Sequence, residues 1–176
     1  MKIAVIGYTG SGKSSLAIRL AELYNCPLMH LDKVHFNADW QRRDRQEAYA
    51  EIDRFCDLPD WVIEGNYFTL GMDRRFAEAD RILFLNCNRF RCLVQALARA
   101  YRFRGRQRDD LADGCHDRIT PSFLAWILFN GRSGKWLEKY RSIERQYPEK
   151  FVPLHTRAEI DAYVEALRKE KEQNEQ

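Results

Sequence analysis

Gly7-Tyr8-Thr9-Gly10-Ser11-Gly12-Lys13-Ser14 is the stretch on which the reading of this chain turns. It has the form G-x-x-x-x-G-K-[ST], the spacing of a phosphate-binding loop. Its flanks are what such a loop requires. Lys2-Ile3-Ala4-Val5-Ile6 before it is a short apolar run of the kind buried in a parallel sheet. After it, Leu16, Leu20 and Leu23 recur at helical spacing, with Ala17 and Ala21 beside them. Between strand and helix, Gly7, Gly10 and Gly12 let successive backbone N–H groups turn toward phosphate oxygens. The helix N-terminus adds partial positive charge, and Ser11 and Ser15 complete the nucleotide-binding set. This reading puts Lys13 on the β- and γ-phosphates and the Ser14 hydroxyl on Mg²⁺. ATP and Mg²⁺ are therefore the expected cofactors.

The 176 residues, 45% hydrophobic and 31% charged, suit one α/β domain over 1–176 with a substantial core. No apolar stretch reaches the length of about 20 residues needed to cross a membrane. The chain opens on a strand rather than a signal peptide, so a cytoplasmic location is expected. Cys26, Cys56, Cys87, Cys92 and Cys115 show no C-x-x-C spacing and read as reduced thiols. The net charge of +3 is small, and its placement matters more than its size.

Working outward, residues 27–31 read as a second strand with Asp32 at its C-terminal end. Parallel sheets bind ligands at that end, so Asp32 is a candidate to hold or deprotonate a phosphoryl acceptor. His30 precedes it and is assigned with it to the substrate set, and Lys33 to Trp40, with His35 among them, reads as a substrate-facing loop. Asp44 and Glu47 form a capping-box pattern for a helix whose apolar face is Ala48, Ile52 and Phe55. Trp61-Val62-Ile63-Glu64-Gly65-Asn66-Tyr67 is a third strand and its turn. Glu64 there suits Mg²⁺ or its waters, while Asn66 and Tyr67 face the same crevice. Of Arg74 and Arg75, either can anchor an acceptor phosphate; Arg75 is assigned to the substrate set.

Arg81 to Leu85 is a fourth strand. The helix after it places Phe90, Leu93, Val94, Leu97, Ala98 and Tyr101 on one face and Arg91, Gln95, Arg99 and Arg102 on the other. Arginines follow at 99, 102, 104, 106 and 108. Arginine suits bidentate phosphate binding, so residues 102–120 read as a lid, with Arg102 and Arg106 as its catalytic candidates. The alternative is a nucleic-acid-binding patch. Thr120-Pro121 opens a helix, and Trp136, Tyr140, Ile143 and Tyr147 share one face of the next. Phe151 to Leu154 is a fifth strand whose Pro153 implies a sheet edge. Thr156 and Glu159 cap the last helix. Strands alternating with helices give a doubly wound parallel α/β sheet.

Four stretches together carry a resemblance: Gly7 to Ser14, His30-Leu31-Asp32-Lys33, Glu64-Gly65-Asn66-Tyr67, and the arginine stretch ending in Asp113-Gly114-Cys115. The chain resembles the bacterial DNA topology modulation proteins, FlaR-related P-loop proteins similar to adenylate kinase and shikimate kinase. The resemblance runs from Met1 to about residue 165. It implies a kinase-like P-loop NTPase fold with strand order 2-3-1-4-5, a lid over the ATP phosphates, and an acceptor site beside the second and third strands. Adenylate kinases carry Asp-Gly-Phe-Pro-Arg where this chain has Glu64-Gly65-Asn66-Tyr67, so their acceptor-phosphate arginine has no direct counterpart.

The expected function is an ATP-dependent phosphotransferase acting on a small-molecule acceptor. Two alternatives stand beside it: a nucleic-acid-associated P-loop NTPase influencing DNA topology, and a nucleotide-sensing switch with no acceptor.

Overall fold

The computed structural model describes residues 1–104, 110–112, 114–115 and 119–174. Five strands form one parallel sheet: β1 (Lys2–Gly7), β2 (Leu28–His30), β3 (Trp61–Glu64), β4 (Arg81–Leu85) and β5 (Phe151–Leu154). Their order across the sheet is β2-β3-β1-β4-β5, as the resemblance implies. β1 is central because the chain builds outward from it twice, first toward β3 and β2, then toward β4 and β5. Its residues Ile3 to Ile6 are sealed on both faces, which is why the strand reads as an unbroken apolar run.

The helices are α1 (Lys13–Tyr24), α2 (Leu31–His35), α3 (Arg45–Cys56), α4 (Met72–Glu78), α5 (Arg89–Arg102), α6 (Pro121–Leu128), α7 (Gly134–Gln146) and α8 (Arg157–Asn174). Capping follows the sequence. The Asp44 carboxylate accepts from the Gln46 and Glu47 amides at the start of α3. Thr120 accepts from the Phe123 amide ahead of Pro121, and Thr156 accepts from the Glu159 amide at α8. Each satisfies donors that the first helical turn leaves unpaired.

One segment departs from the sequence reading. The stretch after β2 is not an open loop: Leu31–His35 makes a helical turn that buries Leu31 and Val34, and a 3₁₀ turn follows at Ala38–Trp40. In α5, most of the apolar stripe faces solvent, with Phe90 66%, Val94 64% and Tyr101 82% exposed, while Leu93 packs against the core. The buried positions are Cys92 and Ala96. The phosphate loop supplies the reason. A Cβ placed on Gly10 would lie 2.3 Å from the Cys92 carbonyl oxygen, so the α5 backbone rests directly on the loop. Only small side chains fit at such an approach, and the helix turns its smallest face inward rather than its most apolar one.

Gly10 adopts φ +79 at this contact. Gly10→Ala therefore meets both a left-handed backbone and a carbonyl in the way. We expect a loss of at least about 2 kcal/mol, a fall in Tm of roughly 4–8 °C for a chain of this size. A thermal melt by circular dichroism checks it; an unchanged Tm would show that α5 can lift off the loop freely.

Candidate active site

All five strands point their C-terminal ends to one side of the sheet, and the phosphate loop leaves β1 there. Gly65 follows β3 and donates its N–H to the Val5 carbonyl at 3.1 Å. Asn66 then clasps the first loop residue: its Oδ1 accepts from the Gly7 amide at 3.0 Å, and its Nδ2 donates to the Gly7 carbonyl at 2.7 Å. This side chain continues the β1–β3 ladder by one rung. Asn66, expected to face the crevice with Tyr67, instead gives both ends of its amide to the loop.

The loop itself has the features of an anion cradle. Gly12, at φ +94, meets nothing closer than the Gln95 Oε1 at 4.0 Å where a Cβ would stand. That space is open, so a phosphate can approach the backbone. Ser11 Oγ is buried and has no hydrogen-bond partner among the described residues. Lys13 Nζ folds back onto the Tyr8 carbonyl at 3.2 Å and lies 4.0 Å from Glu64 Oε1. Ser15 is exposed on the first turn of α1. On the α5 side, a narrow cleft beside Gly12 is lined by Arg19, Arg91, Gln95 and Arg157.

Glu64 is the junction of the site. It is buried, and its Oε2 accepts from Ser14 Oγ at 3.3 Å. His30 Nδ1 stands 3.0 Å from the same oxygen, brought level with Glu64 by the β2–β3 register. Hydroxyl, carboxylate and lysine thus converge where the sequence placed Mg²⁺. The set fits the ion's chemistry, since Mg²⁺ takes one or two carboxylates and completes its shell with phosphates and water. Among the described residues no cluster of three or more His, Cys, Asp or Glu could hold a metal without such help.

Asp32 lies one residue into α2 and accepts a short hydrogen bond from the Tyr67 hydroxyl. Loss of water around it and the Glu64 charge nearby push its carboxyl above the ordinary range, against the opposing pull of Tyr67 and Lys13. The same burial, with Asp32 beside it, drives the Tyr67 phenol up. The His35 ring packs 4.5 Å from Tyr67, and its pKa falls through burial and the charge of Arg42.

Arg75 sits elsewhere than a phosphate anchor on the crevice wall. It is 0% exposed, under the turn, where Nη1 donates to the Gly65 carbonyl at 3.0 Å. Desolvation brings its pKa down to about 10. Arg74 points away and pairs with Asp53, Asp57 and Glu78. Arg102 and Arg104 are exposed at and just beyond the end of α5, while Arg106 and Arg108 lie outside the described residues. The returning end of this segment meets the turn that follows α2. Cys115 Sγ accepts from the Trp40 amide at 3.2 Å and lies 3.4 Å from the Asn37 carbonyl.

Three more residues flank the loop, none of them assigned to the site by the sequence. Arg132 lays its guanidinium 3.6 Å from the Tyr8 ring centre and donates to the Cys87 carbonyl at 2.6 Å. Trp126 Nε1 donates to Thr9 Oγ1 at 3.2 Å, and Tyr140 packs on Tyr8 with ring centres 5.4 Å apart. Helical spacing marked Tyr140 as a core residue, but no local pattern reveals that α6 and α7 lean on the loop.

No protein family and no curated protein matches the chain by sequence. Solved structures do. A shikimate kinase from Bacteroides thetaiotaomicron superposes with TM-score 0.53 at 16% identity, covering 98% of both chains. A gluconokinase from Sinorhizobium meliloti 1021 gives TM-score 0.51 at 18% identity, over 99% of this chain and 97% of the other. The chain has their fold. Both coverages are nearly complete, so the likeness extends beyond the phosphate loop to the whole sheet and its helices.

Proposed function

We propose that the chain is an ATP-dependent, Mg²⁺-requiring phosphotransferase acting on a small hydroxyl-bearing acceptor. The observation that carries this reading is the convergence of Lys13, Ser14 and Glu64 with the Asp32–Tyr67 pair at the ends of β1, β2 and β3. A nucleotide site alone needs only the first three. Asp32, with its pKa raised, suits the further task of taking a proton from an acceptor. Fold neighbours that phosphorylate small molecules support the same class.

In this reading the loop amides and Lys13 hold the phosphates, while Ser14 and Glu64 hold Mg²⁺, directly or through water. Bound there, Mg²⁺ would neutralise charge on the phosphates. His30 orients Glu64, and Asn66 fixes the loop. Asp32 receives the acceptor's proton, and Tyr67 aims its carboxylate. Catalysis of this kind is mostly positioning and charge stabilisation. The Glu64–Tyr67 stretch also supports kinship with the DNA topology modulation proteins.

Screening ATP consumption against nucleosides, nucleotides and hydroxylated metabolites tests the proposal; no acceptor-stimulated turnover across the panel would refute it. Within an active pairing, Glu64→Gln is expected to raise the Mg²⁺ concentration for half-maximal activity by about tenfold or more. An unchanged Mg²⁺ titration would reduce Glu64 to a support for Ser14 and His30.

The nucleic-acid reading draws on α5, which carries Arg89, Arg91, Arg99 and Arg102 and no acidic residue. Arg102→Ala separates the two. As a lid residue it lowers kcat by about 10³ or more, with ATP affinity falling less. As a phosphate-backbone contact it leaves turnover alone and reduces the salt slope of DNA binding by about one. We expect the loss of kcat.

A further inference from the structure

A second concavity lies against the outer side of the phosphate loop. It encloses about 90 Å³ and is walled by Tyr8, Trp126, Trp136 and Tyr140, with Thr9 and Asn66 as its remaining polar side chains. Among the described residues no carboxylate or cation lines it. That volume holds about three waters, so a small ring would seat one face in it and leave the rest at its open mouth. Trp126 and Trp136 meet edge to face at 79° with centres 5.4 Å apart, forming a corner. A flat ring laid on one indole meets the other at its edge, the favoured geometry for aromatic groups.

The surroundings select among rings. Lys139 Nζ stands 4.9 Å from the Trp136 ring and 5.1 Å from Phe68, and Arg132 covers Tyr8. Two cations on the outer faces of the lining rings repel a third in the cavity and favour a neutral or anionic occupant. Of the polar side chains there, Thr9 Oγ1 accepts from Trp126 and both ends of the Asn66 amide are bound to Gly7. Recognition there rests on stacking and charge.

The cavity also belongs to the reaction by position. Tyr8 and Thr9 immediately precede Gly10 in the loop, and Asn66 adjoins Tyr67, which holds Asp32. Resting on the kinase reading, we propose that this cavity takes the ring of the phosphoryl acceptor: a single neutral or anionic aromatic or heteroaromatic ring carrying the hydroxyl to be phosphorylated. The hydroxyl oxygen bonds to the γ-phosphorus of ATP. The bond from that phosphorus to the β,γ-bridging oxygen breaks, its electron pair leaving with ADP. The hydroxyl proton passes to Asp32.

Three probes that keep one ring and one hydroxymethyl group test this: benzyl alcohol, 4-(hydroxymethyl)benzoate and 4-(hydroxymethyl)benzylamine. The first two are expected to quench tryptophan emission saturably and to stimulate ADP formation, with the amine at least tenfold weaker. Trp136→Ala should weaken binding at least tenfold, while Trp136→Phe keeps it within about threefold. Should Trp136→Ala fail to fold, Lys139→Glu makes the same test by shifting the preference at least tenfold toward the amine. Absence of saturable quenching, equal binding of the amine, or a preference untouched by Lys139→Glu overturns the proposal. So does a chain that binds both radiolabelled ATP and the probes yet phosphorylates neither alcohol. A chain that takes up no ATP instead overturns the kinase reading itself, so the two failures are told apart.

Discussion

Lys13→Ala is expected to lower ATP turnover by about 10³-fold or more and to leave the fold in place. The lysine projects from the first residue of α1 into the cradle, where among the described residues Nζ is held by the Tyr8 carbonyl at 3.2 Å and the more distant Glu64. Neither contact secures the sheet. In the proposed reaction the charge serves the phosphate oxygens, and its loss removes stabilisation that grows as the phosphoryl group moves. Glu64 keeps Ser14 and His30 in the variant, so Tm should shift by no more than about 5 °C. Steady-state turnover beside a thermal melt checks both halves. Wild-type turnover would remove the loop from the chemistry altogether.

Asp32→Asn should act in two directions at once. Turnover falls by about 10²–10⁴, the usual worth of a positioned general base. Stability at neutral pH rises. Desolvation, then Glu64, holds the folded-state pKa of Asp32 above its unfolded value. Between those two values the native chain keeps a proton that the unfolded chain has lost, so stability drops as pH climbs through the interval. Asparagine still accepts from Tyr67 and carries no charge to desolvate. The variant's advantage is thus complete above the raised pKa and vanishes below the ordinary carboxylate range. Each kcal/mol gained moves Tm by about 2–4 °C. Melts from pH 4 to pH 8 read it directly, and a variant less stable than wild type at pH 8 would show that Asp32 is held by contacts worth more than its desolvation costs.

What could be read in the sequence was whatever is local. Strand, loop and α1 were legible because phosphate binding dictates both the residue types and their spacing. Glu64 and Asp32 were legible because each ends an apolar run on the ligand side of a parallel sheet. The strand order was implied by the resemblance rather than by any pattern of residues. Long-range consequences were hidden. Periodicity marks the most apolar face of α5, whereas contact with Gly10 selects Cys92 and Ala96, the smallest one. Arg75 looks like a free cation in sequence, but α4 carries it beneath Gly65. Asn66 follows a strand end and so reads as a ligand contact; only the pairing of β3 with β1 brings it against Gly7.

Pro153 bears on how the sheet meets other molecules. In the β4–β5 pairing, Lys150 and Leu154 aim their carbonyls at β4, accepting from Ile82 and Asn86 at 2.7 and 2.8 Å. Strand alternation then directs the backbone of Phe151 and Pro153 outward. The Phe151 N–H is already donated to the Tyr147 carbonyl at 3.0 Å, and Pro153 has no N–H to give. A sixth strand approaching this border would find acceptors without donors, half of a ladder. The opposite border, β2, runs for only three residues. Growth of the sheet by main-chain pairing is closed at one side and too short to hold at the other, so contacts with other molecules fall to side chains and helix surfaces.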